Sequence, residues 1–178
     1  MKALKYLGIG LLVLIGIPLI SALFISKEMN YEKSITINAP IDSVWVNVSS
    51  LGAMDKWSPW NDHDPNMKKS LTGTDGEIGA TASWESPVKE VGTGSQTIAR
   101  IEKPTSFETD LKFLAPFESE AKAYVHLSPD GEGTKATWGF KSEMPYPMNF
   151  TKIFMNMEEM MGKDWDNGLG KLKALSEK

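Results

Sequence analysis

From Leu7 to Ile25 no side chain is charged, and Ser21 is the only polar one. A helix of about 19 residues rises roughly 28 Å, close to the thickness of a bilayer's hydrocarbon core. Gly8, Gly10, Gly16 and Pro18 would weaken a soluble helix but are tolerated in a spanning one. The run is longer than the apolar region of a secretory signal, and Ser21 to Ser26 offers no good small-x-small cleavage site. Residues 7–25 therefore read as a transmembrane helix, 1–6 as a tail, 26–31 as a linker and 32–178 as one soluble domain. Lys2 and Lys5 precede the span, whereas Lys27 and Glu28 cancel after it. Positive flanks stay inside, which predicts a cytoplasmic tail and an extracytoplasmic domain.

Beyond the linker the period changes. Ser34 to Asn38 alternates polar and apolar, as a half-buried strand does. Pro40 then opens a helix with Ile41, Val44, Trp45 and Val48 at helical spacing, ended by Gly52. A second short helix is expected over Ala53 to Lys56, and a polar loop over Asn61 to Asn66. Strands follow at Met67–Leu71, Ala80–Trp84, Gln96–Glu102, Phe107–Phe113, Ser119–Leu127 and Thr134–Phe140. The clearest of them sets Phe107, Thr109, Leu111 and Phe113 against Glu108, Asp110 and Lys112. Pro129-Asp130-Gly131 is a hairpin signal. Met144-Pro145-Tyr146-Pro147 ends the sheet and starts one long helix to about Leu175, with the stripe Phe150, Phe154, Met157, Met160 or Met161, Trp165, Leu169, Leu172 and Leu175. Serial alternating strands before a single long helix predict an α+β domain, an antiparallel sheet covered on one face.

Composition removes several functions. A net charge of −4, a pI near 5.3 and Arg100 as the only arginine argue against nucleic acid. The absence of cysteine excludes disulfides, thiol catalysis and thiolate metal sites. With two histidines, zinc sites and nucleophilic triads lack their parts, and no cofactor is expected. The glycines around Gly92-Thr93-Gly94 precede a strand, so they do not fit a phosphate loop.

The inward faces of the strands are uneven in size. Ala82, Ala121, Ala123 and Ala136 are small, while Trp84, Phe113, Trp138 and Phe140 are large. A helix lying flat on such a face leaves gaps that must be filled. Either its large side chains plug them, which the pattern alone favours, or a bent sheet holds the helix away and encloses a pocket. Six of the ten methionines fall between Met144 and Met161; methionine suits an adaptable apolar wall and also an ordinary core gap. A pocket burying about 300 Å² of apolar ligand would supply roughly 7 kcal/mol before immobilisation costs.

Ser34-Ile35-Thr36-Ile37-Asn38-Ala39-Pro40-Ile41-Asp42-Ser43-Val44-Trp45 resembles the opening of SRPBCC-superfamily (START-like, helix-grip) domains. Trp57-Ser58-Pro59-Trp60, the Asp75-Gly76-x-x-Gly79 turn, Gly133 to Trp138 and the long last helix follow in the same order. Over residues 32 to 176 the chain resembles the polyketide cyclase/dehydrase-like branch. The resemblance implies a curved sheet of about seven strands gripping the C-terminal helix around a hydrophobic cavity, and it reverses the preference for a plain core. It spans lipid carriers, hormone and flavonoid binders, cyclases and chaperone activators, so fold does not fix function.

The leading expectation is a membrane-tethered domain that binds an apolar small molecule or lipid. Trp84, Leu111, Phe113, Ala123, Trp138, Phe140, Met157 and Met161 are the expected lining. Trp57 and Trp60 are candidates for a rim, or alternatively for a packed corner. Arg100 either reaches the cavity mouth or sits on the surface beside Glu102, the surface being favoured. A cyclase or dehydrase using Arg100, Tyr124, Tyr146 or His63 is the second reading, although the strand pattern turns Tyr124 and His126 outward. His63, in Asn61-Asp62-His63-Asp64, has neighbours that suit a cation or a solvated loop. An interaction module acting through its outer surface is the third. Asn47-Val48-Ser49 and Asn149-Phe150-Thr151 match the glycosylation pattern but fall on predicted helices.

Overall fold

The computed structural model describes residues 2–178, with side chains from Lys5 onward. A first helix, α1 (Lys2–Ala22), precedes an antiparallel sheet of strands β1 (Glu28–Ile37), β2 (Lys68–Thr72), β3 (Thr81–Glu85), β4 (Thr93–Glu102), β5 (Ser106–Ala115), β6 (Ser119–Asp130) and β7 (Gly133–Glu143). Their spatial order is β1-β7-β6-β5-β4-β3-β2. Three short helices, α2 (Ile41–Val46), α3 (Leu51–Asp55) and α4 (Trp60–His63), connect β1 to β2, and α5 (Met157–Ser176) closes the chain. This is the α+β helix-grip architecture: a seven-stranded antiparallel sheet packed on a long C-terminal helix.

The period-two pattern explains the strands. In β6, Ala121, Ala123, Val125 and Leu127 are buried, while Lys122 and His126 between them and Ser128 after them are exposed. In β5, Phe107 and Thr109 are buried opposite exposed Asp110 and Lys112.

Helix α5 does not lie flat on the sheet. It packs chiefly along β1, and more sparsely on β7 and α2. From Trp165 onward it buries Trp165, Leu169 and Leu172 with Val44, Val48, Trp57, Val125 and Ala136, a solid core at that end. The N-terminal half stands away from β3, β4 and β5, and space opens there.

Three expectations change. The strand expected from Ser34 begins at Glu28, so most of the stretch read as linker pairs with β7. The polar loop at Asn61–Asn66 contains the end of α4, with Asp62 and His63 reaching α5. The single long helix is two pieces: a 3-10 segment, Met148–Phe154, then α5 after a break at Met155 and Asn156. Asn156 caps α5 by accepting from the Glu159 amide at 3.3 Å, which fixes a new helix start. Phe154 and Met160 are exposed, so the apolar stripe does not run unbroken through the junction.

Helix α1 is long and apolar enough to cross a membrane, and its stretch Lys5–Ala22 is almost wholly exposed. That property belongs to membrane anchors and signal sequences alike.

Candidate functional site

Between α5 and strands β3–β5 lies a cavity of about 510 Å³. Trp138 and Trp165 form its floor, stacked with ring centroids 4.3 Å apart and planes 15° from parallel. Trp57 and Trp60 meet Trp138 edge-on at 5.0 and 5.7 Å. Four indoles from α3–α4, β7 and α5 thus pack as one block, in the edge-on and offset geometries that aromatic quadrupoles favour. Trp57 is 1% exposed, and its indole NH donates to the Asn47 carbonyl at 2.9 Å. It is a packed corner whose ring also borders the cavity.

The wall formed by β3–β5 carries Trp84 and Phe113, edge-on at 6.0 Å. Trp84 folds across Gly94 of the neighbouring strand, and its NH donates to the Val91 carbonyl at 3.2 Å. A β-carbon at Gly94 would stand 2.6 Å from the Trp84 ring, so the absent side chain lets the indole lie against the wall. Leu111, Ala123, Phe140 and Met161 add to the apolar lining.

Seven of the eight residues expected as lining therefore border one space. Met157 does not: the first residue of α5, it borders a smaller cleft of about 170 Å³ with Glu28, Met29, Asn30, Lys152 and Met155. The helix break displaces it. Of the candidate rim, Trp57 and Trp60 border the cavity and Arg100 does not. Arg100 projects outward, 2.5 Å from Glu102 and 3.2 Å from Glu108.

Sequence reasoning missed the polar groups of this space. Lys69 donates to Asp55 at 2.7 Å and to the Asn61 side chain at 2.6 Å, and Asn61 donates to the Asp55 carbonyl at 2.7 Å. This compensated cluster comes from β2, α3 and α4, and no local spacing announces it. Deeper in, Gln96 Nε2 donates to Thr109 Oγ1 at 2.8 Å, which in turn donates to the Ala123 carbonyl at 3.4 Å. The one available signal was Thr109 on the inward face of an otherwise apolar strand.

None of the four polar residues considered for catalysis borders the cavity. Tyr124 lies on the outer face and donates to Glu32 at 2.5 Å; burial first, and that carboxylate second, push its phenol up to about 12. His63 Nε2 lies 2.9 Å from Asp164 and ties α4 to α5. Tyr146 is exposed beside the 3-10 segment. No group of three His, Asp or Glu side chains is arranged to hold a metal ion among the described residues.

Residues 29–177 match the family model described as polyketide cyclase / dehydrase and lipid transport. The chain belongs to that family. No curated protein matches it significantly. Solved structures with the same fold include a protein from Nitrosospira multiformis, 18% identical, covering 82% of this chain and 94% of its own, with a TM-score of 0.59. Another is major latex-like protein 151 from Panax ginseng, 12% identical, covering 83% and 97%, TM-score 0.57. The Aha1 dimer from Colwellia psychrerythraea is a third, 12% identical, covering 84% and 96%, TM-score 0.54. At these identities the likeness is one of fold. Within this family fold, the apolar cavity is the feature that invites a ligand.

Proposed function

We propose that the chain is a membrane-tethered binding domain that holds a hydrophobic small molecule or lipid in the cavity between α5 and β3–β5. The observation that carries this reading is the cavity itself. About 510 Å³ of space walled by aromatic and aliphatic side chains is the size and character of a drug-sized ligand site. In water it would be a poorly solvated void, and an apolar occupant relieves that. Trp84 and Phe113 bring its wall towards the sheet edge from which α1 departs, since both lie near the ends of strands whose edge also holds Glu28. A ligand that partitions into a bilayer would thus be met close to where the protein is tethered. Lys2 and Lys5 ahead of the span favour a cytoplasmic tail and an outward domain.

The test is binding of an environment-sensitive apolar probe to the full chain and to Ala123→Trp. Ala123 borders the cavity beside Phe140, so an indole there fills it. At least about a tenfold loss of affinity is expected, since filling the pocket removes the burial that drives binding. Equal binding by both forms, with both folded, would refute the cavity as the site.

A further inference from the structure

The end of α1 is gripped by the domain. Asn149, fully buried, donates both amide hydrogens back to the helix end, to the Ala22 carbonyl at 2.8 Å and the Ile25 carbonyl at 2.7 Å. Lys152 donates to the Ser26 carbonyl at 2.7 Å and to that of Glu28. Carbonyls at a helix C-terminus have no partners within the helix, and here the 3-10 segment Met148–Phe154 supplies them. The segment and the end of the span are therefore one unit, at one height.

That unit shows an apolar face to the surroundings. Phe24 is 85% exposed and Phe154 76%, with Leu23, Tyr146, Met148 and Ile153 also exposed around them. Phe154 is held edge-on to Phe150 at 5.6 Å. A second apolar point lies on the same edge of the sheet. Glu28 pairs with Glu143, Ser142 with Ala121, and Ser119 with Phe113. The β5–β6 turn thus projects past the level at which α1 enters β1. Three strand spacings, roughly 14 Å, separate the two. That turn carries Phe117, 82% exposed, with Leu114 half-exposed beside it. The charges nearby, Lys27 and Lys152 against Glu28, Glu118 and Glu143, nearly balance.

Resting on the reading of α1 as a membrane span, we infer that this sheet edge docks on the bilayer itself, with the 3-10 segment and the Phe117 turn both inserted at the headgroup level. The occupant is set by continuity. A span that ends at Ala22 places the interface there, and Asn149 fixes the exposed aromatic side chains at that level. A protein partner would have to reach them through the headgroups. Apolar side chains immersed at the headgroup–acyl boundary need no net charge to hold them there. The domain would then sit in one tilt, this end of the sheet against the lipid, instead of swinging on a tether.

The chain has no cysteine, so single-cysteine reporters are straightforward. The full chain is reconstituted in phosphatidylcholine vesicles with a small fluorophore at Phe154→Cys, Phe117→Cys, Leu14→Cys or Ser128→Cys, the last beside the hairpin at the opposite end of the sheet. Quenching by phospholipid nitroxides then reads depth. Labels at 154 and 117 are expected to be quenched at least about twofold more than the label at 128 by a shallow nitroxide, as insertion at the headgroup boundary requires. If the label at 14 is quenched by a deep nitroxide but those at 154 or 117 match 128, the docking inference is wrong and the anchor stands. If the label at 14 is not quenched, the anchor reading itself fails.

Discussion

Trp165 lies face to face on Trp138, 4.3 Å between centroids, and its indole NH donates to the Trp138 backbone carbonyl at 3.1 Å. One side chain thus joins α5 to β7 by stacking and by a buried hydrogen bond, and floors the cavity. Trp165→Ala removes both and leaves a hole, so a loss of about 3–5 kcal/mol in urea unfolding is expected. Trp165→Phe keeps a ring but leaves the Trp138 carbonyl without that donor, for about 1–3 kcal/mol. If Trp165→Phe cost as much as Trp165→Ala, the stacking account would be wrong.

On the opposite face Tyr124 lies across Gly139. A β-carbon at Gly139 would stand 2.0 Å from the phenol ring, which also stacks on His126 at 4.4 Å and lies under the Lys141 ammonium. The glycine makes room for the ring, and the ring covers a strand position that has no side chain. Gly139→Ala should destabilise by about 1–3 kcal/mol through overpacking. In a Tyr124→Ala background the same substitution should be close to neutral. A double-mutant cycle measures this coupling, and additive effects would exclude it.

The pH dependence follows from groups joining α5 to β1. Lys33 lies 2.8 Å from Glu158 and 2.7 Å from Asp166, and Tyr31 donates to Glu158. Burial, then the bond to Glu158, push the Tyr31 phenol up to about 12 from 10.0. Tyr124 is raised to the same level, and the carboxylates of Asp166 and Glu158 raise the Lys33 ammonium. Each binds its proton more tightly when folded, so its contribution is complete below pH 10 and lost as pH rises from there. On the acid side, Glu158 is held down by Lys33 and Tyr31, and Glu177 by Lys173 and the Asn38 amide. Those contributions are present above the ordinary glutamate range and vanish as pH falls through the lowered values. Stability should therefore plateau at neutral pH and fall on both sides. Tyr31→Phe should flatten the fall between pH 10 and 12, and Glu158→Gln the acid fall. Unfolding midpoints across pH check both.

Much of this was legible because a strand's period of two is set by geometry: a residue that is inward at Phe107 forces Leu111 and Phe113 inward too. Six lining positions came from that rule and from the resemblance, and Met161 from the helical stripe of α5. Met157 failed because helical phase was carried across a break. Asn156-Met157-Glu158-Glu159 contains a capping signal, a short polar residue three before a glutamate, and it would have restarted the phase at Met157. Asn149, read only as an incidental glycosylation match, binds carbonyls more than 120 residues away. The Lys69–Asp55–Asn61 cluster is likewise joined only by the fold. Contacts of that kind leave no periodic trace.

Gln96 is a half-buried polar group in the wall that faces α5. Its amide nitrogen donates to Thr109, while its carbonyl oxygen accepts from no side-chain or backbone donor among the described residues. Thr109 keeps its own bond to the Ala123 carbonyl whether or not Gln96 is present. Gln96→Leu therefore orphans no buried donor, and its effect on stability should stay within about 1 kcal/mol. Its effect on binding should depend on the ligand. A hydrocarbon probe gains apolar wall in place of an amide that must be desolvated, and should bind several-fold tighter, on the order of 1 kcal/mol. A hydroxyl-bearing analogue of the same size loses the Gln96 acceptor, and should gain nothing or weaken. Parallel titrations of the two probes against both forms decide it. Opposite responses would make Gln96 the selector of polar against purely apolar cargo, whereas equal shifts for both probes would leave it as a structural partner of Thr109 alone.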